Sequence, residues 1–169
     1  MKINQILKAI TLVLFLTGMI ACGGVSKQEA LDYNENIING QLKVIAAFDA
    51  WNASETQVDS FFNELTRVVD SELKRAESLN NLGDDADFKN AYITFLKQTQ
   101  DFLNKEDALL KKVDQMIAEK TELTQEEADE VKKEEEALNA VYDQNQNDFL
   151  AKQKAFVGKY GLELEDAKK

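Results

Sequence analysis

From Ser26 onward, apolar residues return every three or four positions, the period of a helix with one buried face. The first run is Leu31, Ile37, Ile38, Leu42, Val44, Ile45, Phe48 and Trp51. Ser26 and Glu29 open it as a capping box, which predicts a helix over 26–51. Gly40 interrupts it at a cost of about 1 kcal/mol relative to Ala, and reads as tolerated rather than required. Ser54 with Gln57 forms a second capping box before Val58, Phe61, Phe62, Leu65, Val68, Val69, Leu73, Ala76 and Leu79. A second helix is therefore expected over 54–80, ending ahead of Gly83. The third, expected over 85–119, starts at Asp84 or Asp85 and carries Phe88, Tyr92, Phe95, Leu96, Thr99, Phe102, Leu103, Leu109, Leu110, Val113, Met116 and Ile117. Thr124 and Glu127 open the fourth, over 124–160, with Val131, Leu138, Val141, Tyr142, Phe149, Phe156, Val157 and Tyr160. Gly161 is its expected stop, and 162–169 read as a frayed tail.

Four stripes joined by short loops predict an all-α fold. Its expected form is an antiparallel up-down-up-down four-helix bundle over 26–161, one domain behind an N-terminal signal helix. The aromatic residues fall mostly on the stripes, so their expected role is core packing.

Residues 1–22 follow a different pattern. Lys2 and Lys8 precede a mostly apolar run from Ala9 to Ile20, and Ala21 is a small residue before Cys22. This is the layout of a secretory signal, too short to span a bilayer comfortably. Met19-Ile20-Ala21-Cys22 resembles the lipobox of bacterial lipoproteins, with Met19 and Ile20 where Leu and Ala or Ser are commoner. The resemblance implies cleavage between Ala21 and Cys22, acylation of Cys22, and a short lipidated tether over 22–25. Several acyl chains anchor stably at about 0.8 kcal/mol per buried CH2. The four tether residues reach about 13–14 Å, so the folded body is expected close to the bilayer. Gly23 after the Cys resembles lipoproteins of the outer membrane facing the periplasm. The alternative location is the cell surface. In the body, Asp32-Tyr-Asn-Glu-Asn-Ile-Ile38 and Ala155-Phe-Val-Gly-Lys-Tyr-Gly161 resemble uncharacterised all-helical lipoproteins of Bacteroidetes and spirochaetes, which carry no assigned activity.

Composition narrows the function. The chain has no Pro, in keeping with long uninterrupted helices. It has no His, the commonest general base and transition-metal ligand. One Cys leaves no internal disulfide. A formal charge of −11 argues against nucleic acid. Loss of residues 1–21 removes Lys2 and Lys8 and no acid, so the charge moves to −13.

Candidate chemistry is sparse. Glu126, Glu127, Asp129, Glu130, Glu134, Glu135 and Glu136 read as a solvated face, with Asp129 pairing with Lys132 or Lys133. A di-iron bundle needs Glu-x-x-His pairs, which are missing. Asp143-Gln-Asn-Gln-Asn147 lacks the Gly and Glu of a calcium loop and sits within a helical period. Capping accounts for at least one acid of Gly83–Asp87. No phosphate loop or nucleophile–His pair occurs, so no catalytic residue, metal or cofactor is expected and the chain reads as not an enzyme. Polar residues on or beside the stripes remain: Tyr33, Asn34, Gln41 and Asn145. They read mainly as register-setting core residues, with a small polar pocket as the functional alternative. The expected function is a lipid-anchored, non-catalytic binding or scaffold module with an envelope protein partner. The alternative is a carrier of a small ligand between helices.

Overall fold

Ser26 starts the first helix as its residue pattern requires. Its hydroxyl accepts the Glu29 N–H at 3.2 Å, and the Glu29 carboxylate accepts the Ser26 N–H at 2.8 Å. Two otherwise free backbone or cap donors are thereby satisfied reciprocally. The computed structural model describes residues 24–54, 58–120 and 122–162. These form four helices and no strand: α1 (Lys27–Ala53), α2 (Val58–Ser78), α3 (Asp87–Lys120) and α4 (Gln125–Tyr160). Ala21, Cys22, Gln57 and 163–169 lie outside the described residues.

Three helix ends differ from expectation for local reasons. The Gln57 half of the expected Ser54–Gln57 box lies outside the described residues, and Ser54 itself sits at the end of α1. It closes α1, with its hydroxyl donating to the Trp51 carbonyl at 2.8 Å and its N–H to the same oxygen at 3.1 Å. Asp85 stands before α3 rather than in it, accepting the Asp87 N–H at 3.0 Å. The turn ahead of it is closed by mutual Leu82 and Asp85 backbone bonds, and Gly83 takes φ +57° there. Leu162 is not frayed. Gly161 turns left-handed at φ +61°, the Leu162 N–H reaches the Val157 carbonyl at 2.9 Å, and Leu162 is buried. Such a turn satisfies the last helical carbonyls and carries the next apolar residue back onto the helix.

α1 packs on α2, α2 on α3 and α3 on α4, while α4 meets α1 more sparingly. Early α1 meets late α2: the Tyr33 hydroxyl donates to the Asn80 carbonyl at 3.0 Å, and Trp51 lies edge-on to Phe62 at 5.3 Å. Phe88 stacks on Phe156 at 4.7 Å, and Lys112 pairs with Glu134 at 2.7 Å. Phe48 stacks on Tyr142 at 4.7 Å, and Tyr33 meets Phe156 at 6.0 Å. The expected aromatic core is present: Phe48, Phe88, Tyr92, Phe95, Phe102, Tyr142, Phe149, Phe156 and Tyr160 are all buried. Each such ring contributes roughly 1.5–3 kcal/mol by leaving water.

Four expected stripe residues are exposed. Val58, Phe61, Ile117 and Val141 are 39%, 37%, 46% and 54% exposed. Beyond Leu109 in α3, and before Tyr142 in α4, no described residue is buried. Val113, Met116, Val131 and Leu138 are half-buried there, as two helices covering only one another would leave them. No described helix is long and apolar enough to cross a membrane.

Candidate functional site

Among the described grooves, one of the four polar residues singled out from the sequence, Asn145, lines a wall. Tyr33 is tied to the end of α2 through Asn80, and burial, reinforced by Asp85, pushes its hydroxyl up to about 12. Asn34 is completely buried, and neither its Oδ1 nor its Nδ2 has a hydrogen-bond partner among the described residues. Gln41 is buried two helical turns further along α1. Asn145 is the exception, because it opens on a groove between α3 and α4.

That groove has a volume of about 340 Å3. Asn90, Thr94 and Gln98 stand along one wall at helical spacing, with Asp148 and Lys152 on the other beside Asn145. Ala91, Phe95 and Phe149 complete the lining. A smaller groove of about 130 Å3 continues from it, sharing Asp87 and Lys152 and reaching Asp85 and Lys159. Asp85 is already occupied. Its Oδ2 accepts from Lys159 at 2.7 Å and from the Tyr160 hydroxyl at 3.3 Å. Burial raises the Asp85 carboxyl, but Lys159 and the Asp87 N–H outweigh it and hold the group below its ordinary value.

Sequence reasoning missed a second polar centre. Glu72 is buried among α1, α2 and α3, accepting from Lys43 at 3.0 Å, Arg75 at 2.5 Å and the Tyr92 hydroxyl at 3.4 Å. Arg75 also donates to the side-chain and backbone oxygens of Asn36. Gly40 makes room for this cluster. A Cβ there would overlap the Arg75 guanidinium, the Tyr92 hydroxyl and Glu72 Oε2. Gly40 is therefore required for close packing and not merely tolerated. Burial pushes Glu72 up, yet Arg75 and Lys43 together leave it below the ordinary carboxylate range. The signal was present in the stripe itself, since 69, 72, 73 and 76 share one helix face. Gln146 and Gln153 were missed in the same way. Both are buried, seven residues apart on the inner face of α4, and Gln153 Nε2 has no partner among the described residues.

The acidic run of α4 pairs differently from expectation. Asp129 accepts from Gln125, while Lys112 of α3 reaches Glu134 at 2.7 Å and Glu130 at 3.8 Å. Deeper on α3, Glu106 is buried and its carboxyl is raised, by burial first and by the facing Glu135 second. Asp143–Asn147 lies wholly within α4. The described residues contain no cluster of three or more His, Cys, Asp or Glu placed to hold a metal.

At the far end of the α3–α4 pair, Ala108, Leu109, Ala137, Leu138 and Val141 line an apolar groove of about 440 Å3, bordered by Lys105, Lys112 and Glu134. Comparison with protein-family models, with curated proteins and with solved structures finds no match.

Proposed function

We propose that this chain is a lipid-anchored protein of the bacterial envelope that works by binding, as an interaction or scaffold module, and not by catalysis. The anchor is Cys22, acylated after cleavage behind Ala21, and the expected location is the outer membrane facing the periplasm, with the cell surface as alternative. The helices are read as an antiparallel up-down-up-down bundle. The Tyr33–Asn80, Trp51–Phe62, Phe88–Phe156 and Phe48–Tyr142 pairs support this order, because rising numbers on one helix meet falling numbers on the next.

The observation that carries the binding reading is the distribution of exposed apolar residues. The Gly83 α-carbon faces Val25, so the chain enters the bundle beside the α2–α3 turn, and Leu162 packs at that same end. α3 runs 34 residues away from that turn, about 50 Å at 1.5 Å per residue. The α3–α4 pair outruns α1 and α2 and forms an arm remote from the tether. Ile117 and Val141 lie exposed on this arm, and Val58 and Phe61 at the α2 start beside it. Exposed apolar residues grouped at one end mark an interaction surface. The test is site-specific photocrosslinking in cells from positions 117 and 141, with position 77 on the body as control. One envelope protein crosslinked from the arm alone, and lost with Ile117→Glu and Val141→Glu, is the expected result. Equal labelling from all three positions contradicts it.

A second reading, carriage of a small ligand, is favoured by one observation. Asn145 is 8% exposed, has no hydrogen-bond partner among the described residues and opens on the α3–α4 groove.

A further inference from the structure

The α3–α4 groove at Asn145 has a definite chemical character, and this inference rests on the ligand-carriage reading alone. Asn145 is 8% exposed, yet its carboxamide has no hydrogen-bond partner among the described residues. Asn34 and Gln153 also have unpaired polar atoms, but those atoms are fully buried. Asn145 instead meets an open volume that another molecule can enter. Across from it, Gln98 and Asn90 present two more carboxamides with no side-chain partner among the described residues. Each carboxamide offers both donors and an acceptor.

Charge narrows the ligand. Asp87 and Asp148 outnumber Lys152 along the groove and disfavour an anion, while Lys152 partly offsets their attraction for a cation. The Phe95 and Phe149 rings of the lining are 1% and 2% exposed, so little aromatic surface is open to an apolar ligand. A groove of about 340 Å3 is at the small end of the range for small-molecule sites, roughly 300–1,000 Å3. We propose that this groove binds a small neutral polyhydroxylated ligand, of one or two sugar rings, whose adjacent hydroxyls pair with the carboxamides of Asn145, Gln98 and Asn90. Neighbouring hydroxyls donate and accept at short spacing, which matches three carboxamides on facing helices better than any singly charged group does.

The full chain, extracted in a non-glycosidic detergent, is titrated with glucose, N-acetylglucosamine, maltose and cellobiose, and followed by calorimetry and by the side-chain amide NMR signals of Asn and Gln. Saturable binding of at least one sugar is expected, with the Asn145 and Gln98 amide signals shifting. Asn145→Leu and Gln98→Ala should each weaken it about tenfold, the effect of one lost neutral hydrogen bond. Gln98 is exposed on the groove wall, so its variant keeps the test valid if Asn145→Leu fails to fold. The proposal is overturned if no sugar binds up to its solubility limit. It is equally overturned if binding ignores both variants, or if only glutamate or lysine, added as charged controls, shifts these signals. None of these outcomes bears on crosslinking from the arm.

Discussion

Gly40 shows what one missing methyl group allows. Its bare α-carbon lets Arg75 and Glu72 of α2 and Tyr92 of α3 close over α1. Gly40→Ala gains about 1 kcal/mol of helix propensity but overpacks a charged cluster. The expected net loss is about 1–3 kcal/mol, read as a lower urea midpoint. An unchanged midpoint would mean that the cluster shifts without cost. Glu72 adds a pH dependence. Its folded value lies below the ordinary 4.5, so its stabilising contribution is complete above pH 4.5 and is lost as pH falls through the folded value. Glu106 behaves oppositely. Its folded value lies above 4.5, so its contribution is present below pH 4.5 and lost as pH rises through the folded value. Glu106→Gln should therefore raise the urea midpoint at pH 7 and raise it less at pH 4. Equal gains at both pH values would contradict the assignment. Neither acid was recognised from the sequence, because 31 acids make each one uninformative unless its place on an apolar face is noticed.

At the level of elements, legibility followed the caps. Ser26 with Glu29 and Thr124 with Glu127 are local patterns fulfilled by local bonds, and both helix starts fell within a residue of expectation. Ser54 offered the same pattern, but its hydroxyl went back to Trp51, and no sequence spacing distinguishes a residue that opens a helix from one that closes its predecessor. The stripes placed the aromatic core correctly, yet they extended over Ile117 and Val141, which are exposed. Periodicity reports which face of a helix is apolar and not whether another helix covers it. The arm should consequently open more readily than the body. Hydrogen exchange is expected to be faster over 111–119 and 125–137 than over 88–103, where Phe88, Tyr92, Phe95 and Leu103 are buried. Uniform protection along α3 would contradict a separate arm. The same reasoning applies inside the bundle at Asn34. Asn34→Leu replaces an unpaired buried amide with an apolar group of similar size and should raise stability by about 1–3 kcal/mol by urea denaturation. A loss would show that the amide is paired in solution.

For the whole molecule, the proposed function assigns different tasks to the two ends. Val25 meets the α2–α3 turn, while the exposed apolar residues gather towards the far end of α3. If the proposed processing occurs, the mature body carries −13 and is repelled by anionic lipid rather than adsorbed, so the short tether would hold it near the bilayer with the arm facing outward. The candidate pocket was legible only in part. Polar residues stood out along α1 and α4, but helical spacing fixes which face a residue occupies and not which neighbour it meets. Hence Asn34 is completely buried and Asn145 lies at a groove on the opposite helix pair. The binding reading depends throughout on the chain being held at one end by Cys22. Intact mass and N-terminal peptide analysis of the protein extracted from bacterial membranes measures this directly. The expected product begins at Cys22 and carries acyl groups, and Cys22→Ser abolishes both the processing and the membrane fraction. A chain that keeps residues 1–21, or begins at an unmodified Cys22 and fractionates as soluble, would contradict the anchored arrangement.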